Sequence, residues 1–344
     1  MANLQTTYMG LNLRNPLIAG SSGLTNSIDN IKELADKGIG AIVLKSVFEE
    51  QIHQDTEKNI EKEEGGIKTY TQAQDIYVNR RIYDYDEAYS YIYDYAKKHT
   101  LNKYLHFVES VKKEVNVPII ASVHCVSNYD WHSFARQIQD AGADAIELNI
   151  YVLPSDFRRN ASDNEKLYYE IYSQVKQYVK IPISIKLGYY FSALAQSIES
   201  LSKTGVDALV LFNRPYNPDI DIEKMAFITS NIYSSETEYA RTLRWISILS
   251  GHVQCDLAAA SGIHNYENVV KQLLAGATAV QLVSTLYKNH FDIIPDILSK
   301  TEAWMERHQY STIDDFRGKL SSKNLENPAA VERVQFMKLY AGIE

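Results

Sequence analysis

Two lysines stand where a cation is costly. Lys45 closes the apolar run IVLK and Lys186 closes ISIK, and an ammonium at the end of a buried strand must meet an anion or a polar cofactor. The plain alternative is a structural pair with a carboxylate such as Glu147. Other short runs end in amides or in small residues. Asn149 closes AIELN and Asn213 closes LVLFN, each of which taken alone reads as an ordinary strand-end cap. Gly20 and Ser21 follow LIA, Ser261 and Gly262 follow DLAAA, and Val283 and Ser284 follow AVQL. Turns of small residues let a flat ligand approach the backbone and aim N–H groups at a phosphate. Beside two lysines, the chemistry implied is the holding of a polar, phosphate-bearing ligand.

Eight β-branched runs position these residues: Pro16–Gly20, Gly40–Ser46, Pro118–His124, Asp144–Asn149, Pro182–Leu187, Asp207–Asn213, Cys255–Ser261 and Thr278–Ser284. Near-continuous apolar strands alternating with helical patterns indicate a parallel sheet buried on both faces. The segments DKGIGA, DAGADA, KTGVDA and LAGATA each read as a helix end, a glycine turn and the next strand. Eight such units, with no GxGxxG after the first strand, predict a single α/β domain, a (β/α)8 TIM barrel, over residues 1–344. Small-residue turns after the last two strands are where this fold usually holds phosphate.

The spacing breaks once. About seventy residues, Val47 to Val117, separate the second and third strands, far beyond an ordinary loop. This insertion is tyrosine-rich and leaves the C-terminal end of the second strand, so it is expected over the barrel mouth, either as a surface excursion and oligomer contact or as a lid with aromatic walls. Phe291 to Arg307 reads as a closing helix, and Tyr310 to Leu320 begins a C-terminal extension.

Composition narrows the class. The 344 residues are 45% hydrophobic and 23% charged, with a net charge of −8 and no long block of one sign. That argues against nucleic acid or an anionic membrane as the main partner. The two cysteines, Cys125 and Cys255, make no disulfide framework and predict a reducing, cytoplasmic setting. The N-terminal residues MANLQTTYMG carry no secretory pattern, and no run reaches the roughly 18 apolar residues of a membrane span. No metal site is expected.

Over most of its length the chain resembles the dihydroorotate dehydrogenases, FMN-dependent barrels of pyrimidine synthesis. The resemblance rests on NPLIAGSSG, IVLKS, AIELN, PISIKL, ALVLFN, ASGIHNYENVVKQLLAGATAVQLVSTLYK and YSTIDDFRGKL, of which the last two are the most specific. It implies FMN as cofactor and a dihydropyrimidine-like small molecule as substrate. Gly20 and Ser21 would contact the flavin through the backbone. Lys45 would lie beside the ring and substrate, and Lys186 near the pyrimidine end of the ring, where a cation stabilises the anionic reduced flavin. Asn149 and Asn213 would bind flavin or substrate, while Ser261, Gly262, Val283 and Ser284 would hold the phosphate. The resemblance is to the soluble branch rather than the quinone-linked membrane branch, and a homodimer is expected.

The chain also departs from the family. A Cys or Ser base is expected in a loop N-x-S-[C/S]-P-N after the fourth strand, and here the loop reads Asn149-Ile150-Tyr151-Val152-Leu153-Pro154. Neither Val152 nor Leu153 takes a proton. Tyr151, Ser155 and Asp156 in that loop, and His124 at the end of the third strand, are the candidate bases. Ser234-Ser235 replaces a Ser-Gly pair of a further phosphate loop. The leading expectation is oxidation of dihydroorotate to orotate with hydride passing to flavin N5. The alternatives are a flavoprotein acting on another cyclic amide or enone, a flavin-free lyase or aldolase with Lys45 or Lys186 as a Schiff-base amine, and a binding protein without chemistry.

Overall fold

The structure is a computed structural model that describes residues 2–48, 101–125, 131–215 and 217–333. A short antiparallel hairpin, β1 (Thr6–Tyr8) and β2 (Leu11–Leu13), precedes a parallel sheet. That sheet contains β3 (Leu17–Ala19), β4 (Ala41–Val43), β5 (Val47–Phe48), β6 (Ile119–Cys125), β7 (Ala145–Ile150), β8 (Ile183–Leu187) and β9 (Ala208–Leu211). A second hairpin, β10 (Pro218–Asp221) and β11 (Ala226–Thr229), leads on to β12 (Asp256–Ala260) and β13 (Ala279–Leu282). Pairing runs β4–β3–β13–β12–β9–β8–β7–β6, and β4 pairs with β6, so eight parallel strands close on themselves. All eight expected strands are present. The two-residue β5 is a side branch on β6.

Pleating sends alternate residues inward and outward. Outward residues such as Leu17, Ile146 and Ile185 join the large core beneath the helices. The inward layer is unusually small: Ala41, Ala145, Ala208, Ala258, Ala260 and Ala279 pack with Ile18, Val43, Ile120 and Val210. Alanines leave room at the centre, and the N-terminal hairpin fills it. Tyr8, Met9 and Leu13 enter the same cluster, and Tyr8 is fully buried.

Aspartates at the strand starts fasten neighbouring segments. Asp144 accepts from the Ile119 N–H at 2.7 Å and Asp207 from the Ile183 N–H at 2.8 Å. Asp256 accepts from the Met9 N–H at 2.7 Å and from the Thr278 hydroxyl at 3.1 Å, tying the plug to the barrel. At the turns before strands, Gly276 has φ +116° and donates to Gln272 and Leu273, the left-handed stop that LAGATA predicts.

Helices surround the ring, among them Ala161–Lys176, Tyr239–Leu249, Tyr266–Ala275 and Ile293–Arg307. Residues 101–114, at the end of the long insertion, are helical. The tyrosine-rich run at 69–98 lies outside the described residues. Among the described residues no helix is long and apolar enough to cross a membrane. The β10–β11 hairpin is a feature that the strand spacing does not announce.

Candidate functional site

The register sets the polar residues on shared levels. His124 on β6 stands opposite Asn149 on β7, and Asn149 opposite Lys186 on β8. One pleat lower, Ser122, Glu147 and Ser184 align in the same way. The C-terminal rim of this side of the barrel is therefore polar above an alanine-rich floor.

Lys186 is 8% exposed and Glu147 is 1% exposed. The Lys186 Nζ donates to Gln281 Oε1 at 2.8 Å and lies 3.6 Å from Glu147 Oε1. Gln281 Nε2 in turn donates to Glu147 Oε2 at 2.6 Å. The pairing that the plain reading allows for Lys186 is present, with an amide bridging it. The ammonium still reaches a cavity of about 190 Å³, whose lining includes Lys186 and Gln281.

Six more lining residues come from the expected turns, Ser21, Asn213, Ser261, Gly262, Val283 and Ser284, and the lining also takes in Phe212, Arg214 and Ser234. After β12 the backbone passes through two left-handed residues, Ser261 at φ 76° and Gly262 at φ 75°. A Cβ on Gly262 would meet the Tyr239 backbone nitrogen at 2.1 Å, so only glycine fits. A Cβ on Gly20 would meet Val283 Cγ2 at 2.7 Å. Ser261 Oγ donates to the Phe212 carbonyl at 3.0 Å, holding the turn against the end of β9. Those clashes are packing demands of the barrel itself, and it is the cavity lining, with Lys186 beside the small residues Ser261, Gly262 and Ser284, that fits a ligand with an anionic tail such as FMN.

The Ser234-Ser235 loop adjoins this cradle, and His264, Glu238 and Lys288, which the sequence does not single out, hold it in place. Ser234 donates its N–H to Ser284 Oγ at 3.0 Å, and Lys288 Nζ donates to the Ser234 carbonyl at 2.9 Å. Ser234 Oγ is 3.0 Å from His264 Nε2. Burial, then the neighbouring Lys288, holds the His264 imidazole below its ordinary range. Arg214 pairs with Glu238 at 2.9 Å, and its Nη1 donates to the Ile232 carbonyl at 3.0 Å. Burial opposes ionisation of Glu238, but Arg214 and the Ser235 N–H outweigh it and hold the carboxyl below its usual range. So Ser234-Ser235 is an anchored loop despite lacking glycine. Its signal was the "NRP" after β9 and the "GIHN" after β12.

The neighbouring strand ends are assembled differently. Asn213 Nδ2 donates to Asn149 Oδ1 at 2.8 Å, joining the two strand-end amides. Ser21 Oγ contacts Ser46 Oγ at 3.0 Å, and Ser46 Oγ contacts Ser122 Oγ at 2.7 Å, a hydroxyl chain from β3 to β6. Lys45 is half-buried, and its backbone N–H donates to the Thr25 carbonyl at 3.2 Å. His124 is half-buried at the rim.

The loop after β7 keeps its acid–base candidates apart. Asp156 accepts from the Arg158 N–H at 2.9 Å and Nε at 3.3 Å, and is exposed, outside the cavity lining. Ser155 and Leu153 are exposed, and Val152 packs on the outer core. Tyr151 lies against Gly188, where a Cβ would meet its ring at 3.0 Å. Burial, with the neighbouring Tyr190, pushes the Tyr151 phenol well up, so at neutral pH it keeps its proton and is not available as a base. Tyr151 meets Tyr190 edge-on at 6.2 Å, Tyr190 lies 4.7 Å from Tyr189, and Tyr189 meets Phe212 edge-on at 6.1 Å. The Arg241 guanidinium covers Tyr189 at 4.3 Å. Of the rings in this aromatic wall, Phe212 lines the cavity, while Tyr189 and Tyr190 line a neighbouring pocket with Val152 and Pro154.

Comparison with known proteins agrees with this geometry. The family described as dihydroorotate dehydrogenase matches residues 90–305. A Thermoplasma volcanium protein named as the catalytic subunit of dihydroorotate dehydrogenase B (NAD(+)) is 25% identical over 92% of this chain and 98% of its own. A protein of the same name from Methanocaldococcus jannaschii is 23% identical over 92% of this chain and 97% of its own. One from Methanothermobacter thermautotrophicus is 28% identical over 61% and 73%.

Proposed function

Because the chain belongs to the dihydroorotate dehydrogenase family, we propose that it is an FMN-dependent oxidoreductase that converts dihydroorotate to orotate in pyrimidine synthesis. The observation that carries this reading is the buried Lys186 ammonium facing a cavity that ends at Ser261, Gly262, Val283 and Ser284. Those four residues would hold the phosphate, and the Gly20–Ser21 backbone would lie along the ring. When bound, the flavin supplies the hydride-accepting N5, which no side chain provides. Lys186 would balance charge on the pyrimidine end of the ring, a contribution that grows as that charge develops. The Asn149–Asn213 amide pair would orient substrate, with Lys45 beside it.

A carbon acid also needs a proton acceptor. His124 stands level with Asn149 and Lys186, whereas Asp156 is committed to Arg158 in solvent and Tyr151 keeps its proton. Reach comes before pKa in choosing a general base, and it favours His124. A Schiff-base role for Lys186 is disfavoured by its ion pair with Glu147, since that chemistry needs a free amine.

The aromatic wall and the apolar Val152-Leu153 favour one second reading, a neutral cyclic amide or enone as substrate. Electrons would leave through another subunit, as the relatives' description as catalytic subunits suggests. The exposed Ile220, Ile222, Met225 and Phe227 of the β10–β11 hairpin support self-association as a homodimer. Cys255 is unpaired, and burial pushes its thiol up to about 12, in keeping with a reducing cytoplasm and an inert side chain. Mass spectrometry of the ligand released from purified protein tests the cofactor, with FMN expected and FAD or no flavin contradicting it. Anaerobic bleaching by a panel of dihydropyrimidines and cyclic enones then separates the two substrate readings.

A further inference from the structure

Beneath the cavity the lysine is one corner of a closed triangle. Glu147 accepts from Gln281 Nε2 at 2.6 Å, which turns the amide so that its carbonyl must face Lys186, accepting at 2.8 Å. The direct Lys186–Glu147 separation is 3.6 Å, and Glu147 Oε1 makes no hydrogen bond although it is buried. The three residues come from β7, β8 and β13, so the strands themselves fix the triangle. A carboxylate that accepts only one hydrogen bond is poorly compensated in a low-dielectric interior. The lysine that lines the cavity therefore has the Glu147 carboxyl group 3.6 Å behind it.

From this we infer that Glu147 is a positioning residue that lowers the reduction potential of the bound flavin, acting through Lys186 and through its own field, with Gln281 as the hinge of the arrangement. The inference rests on the flavin occupying the Lys186 cavity, as proposed above. The physical reasoning is electrostatic. Reduction adds negative charge to the ring, Lys186 favours that charge, and Glu147 opposes it. In water such an offset is screened, but a pair this deeply buried is screened much less. The balance makes the reduced flavin a stronger donor than a lone lysine would leave it, which suits a chain that must pass electrons onward.

Neutral isosteres separate the charges from the shape. Spectroelectrochemistry of flavin-loaded protein at fixed pH should give an order of potentials. Glu147→Gln should lie above wild type, with the reduced-to-oxidised ratio shifted at least tenfold, about 30 mV for a two-electron couple. Lys186→Gln should lie below wild type. The double variant, with both charges removed, should lie between the two single variants. Glu147→Asp, which keeps the charge, should stay with wild type. A lone buried ammonium can prevent folding. If Glu147→Gln fails for that reason, the comparison of Lys186→Gln with the double variant carries the test, because the second change should still raise the potential. A Glu147→Gln protein whose potential equals or falls below that of wild type overturns the inference. So does a double variant indistinguishable from Lys186→Gln. Wild type that takes up no flavin instead defeats the functional reading on which the inference stands, so the two failures are told apart.

Discussion

Gly262 shows how strictly single residues define the cradle. Its φ of 75° and the 2.1 Å approach of the Tyr239 nitrogen leave no space for a side chain. Gly262→Ala should therefore cost about 1–3 kcal/mol in strain and abolish stoichiometric flavin binding, read by absorbance per protein. Gly20→Ala meets only side-chain atoms, the Val283 methyl at 2.7 Å and Gln281 Oε1 at 3.4 Å, and should retain flavin. His264 supplies a pH signature. Its imidazole is held below the ordinary 6.5 by burial and by Lys288, while Glu236 and Glu238 act in the opposite sense. A depressed histidine contributes stability that is complete above about pH 6.5 and is lost as pH falls through the folded value, because only the unfolded chain gains the proton. Thermal midpoints should fall on that acid side, and His264→Gln should flatten the decline. Polar residues that line the cavity were largely legible in the chain because each interrupts an apolar run: Lys186, Asn213 and Ser261 are visible as polar ends. Gln281 was not, since a glutamine within AVQLV shows nothing of a partner 134 positions away.

At the scale of elements, the eight strands could be read because each is short, apolar and bounded by a glycine turn. The Asp144, Asp207 and Asp256 fasteners could be seen as strand boundaries but not as acceptors, because their partners lie on other strands. The plug was visible only as a short hairpin. Its depth follows from the alanine layer that Tyr8 fills, a fact about the closed ring rather than about the hairpin's own sequence. Tyr8→Ala should accordingly open a cavity at the floor and cost about 3–5 kcal/mol in chemical denaturation, as large aromatic truncations do. A loss under 1 kcal/mol would show that the hairpin is not part of the core. The β10–β11 hairpin was hidden because Asn, Pro and Asp make residues 213–221 read as loop, and only the facing of Ile220 with Phe227 shows a ladder.

The whole molecule presents a closed barrel with its chemistry at one end and an apolar hairpin beside that end. Ile222, Met225 and Phe227 are among the most exposed side chains of the hairpin, an arrangement suited to a covered surface. Phe227→Asp with Ile222→Asp should convert a dimer to monomers in sedimentation velocity while leaving the flavin spectrum unchanged. A wild type that sediments as a monomer at micromolar concentration would remove the homodimer from the account. The proposed function joins a flavin site to a loop after β7 that has neither Cys nor Ser at Val152 or Leu153. Anaerobic stopped-flow mixing of flavin-loaded wild type with dihydroorotate tests it most directly. With no base in the loop after β7 and His124 as the substitute acceptor, reduction should forgo part of the roughly 10²–10⁴-fold that general-base catalysis supplies. The account predicts complete but slow bleaching, accelerated by Val152→Cys, whereas flavin that stays oxidised, or bleaches rapidly in the unmodified protein, contradicts it.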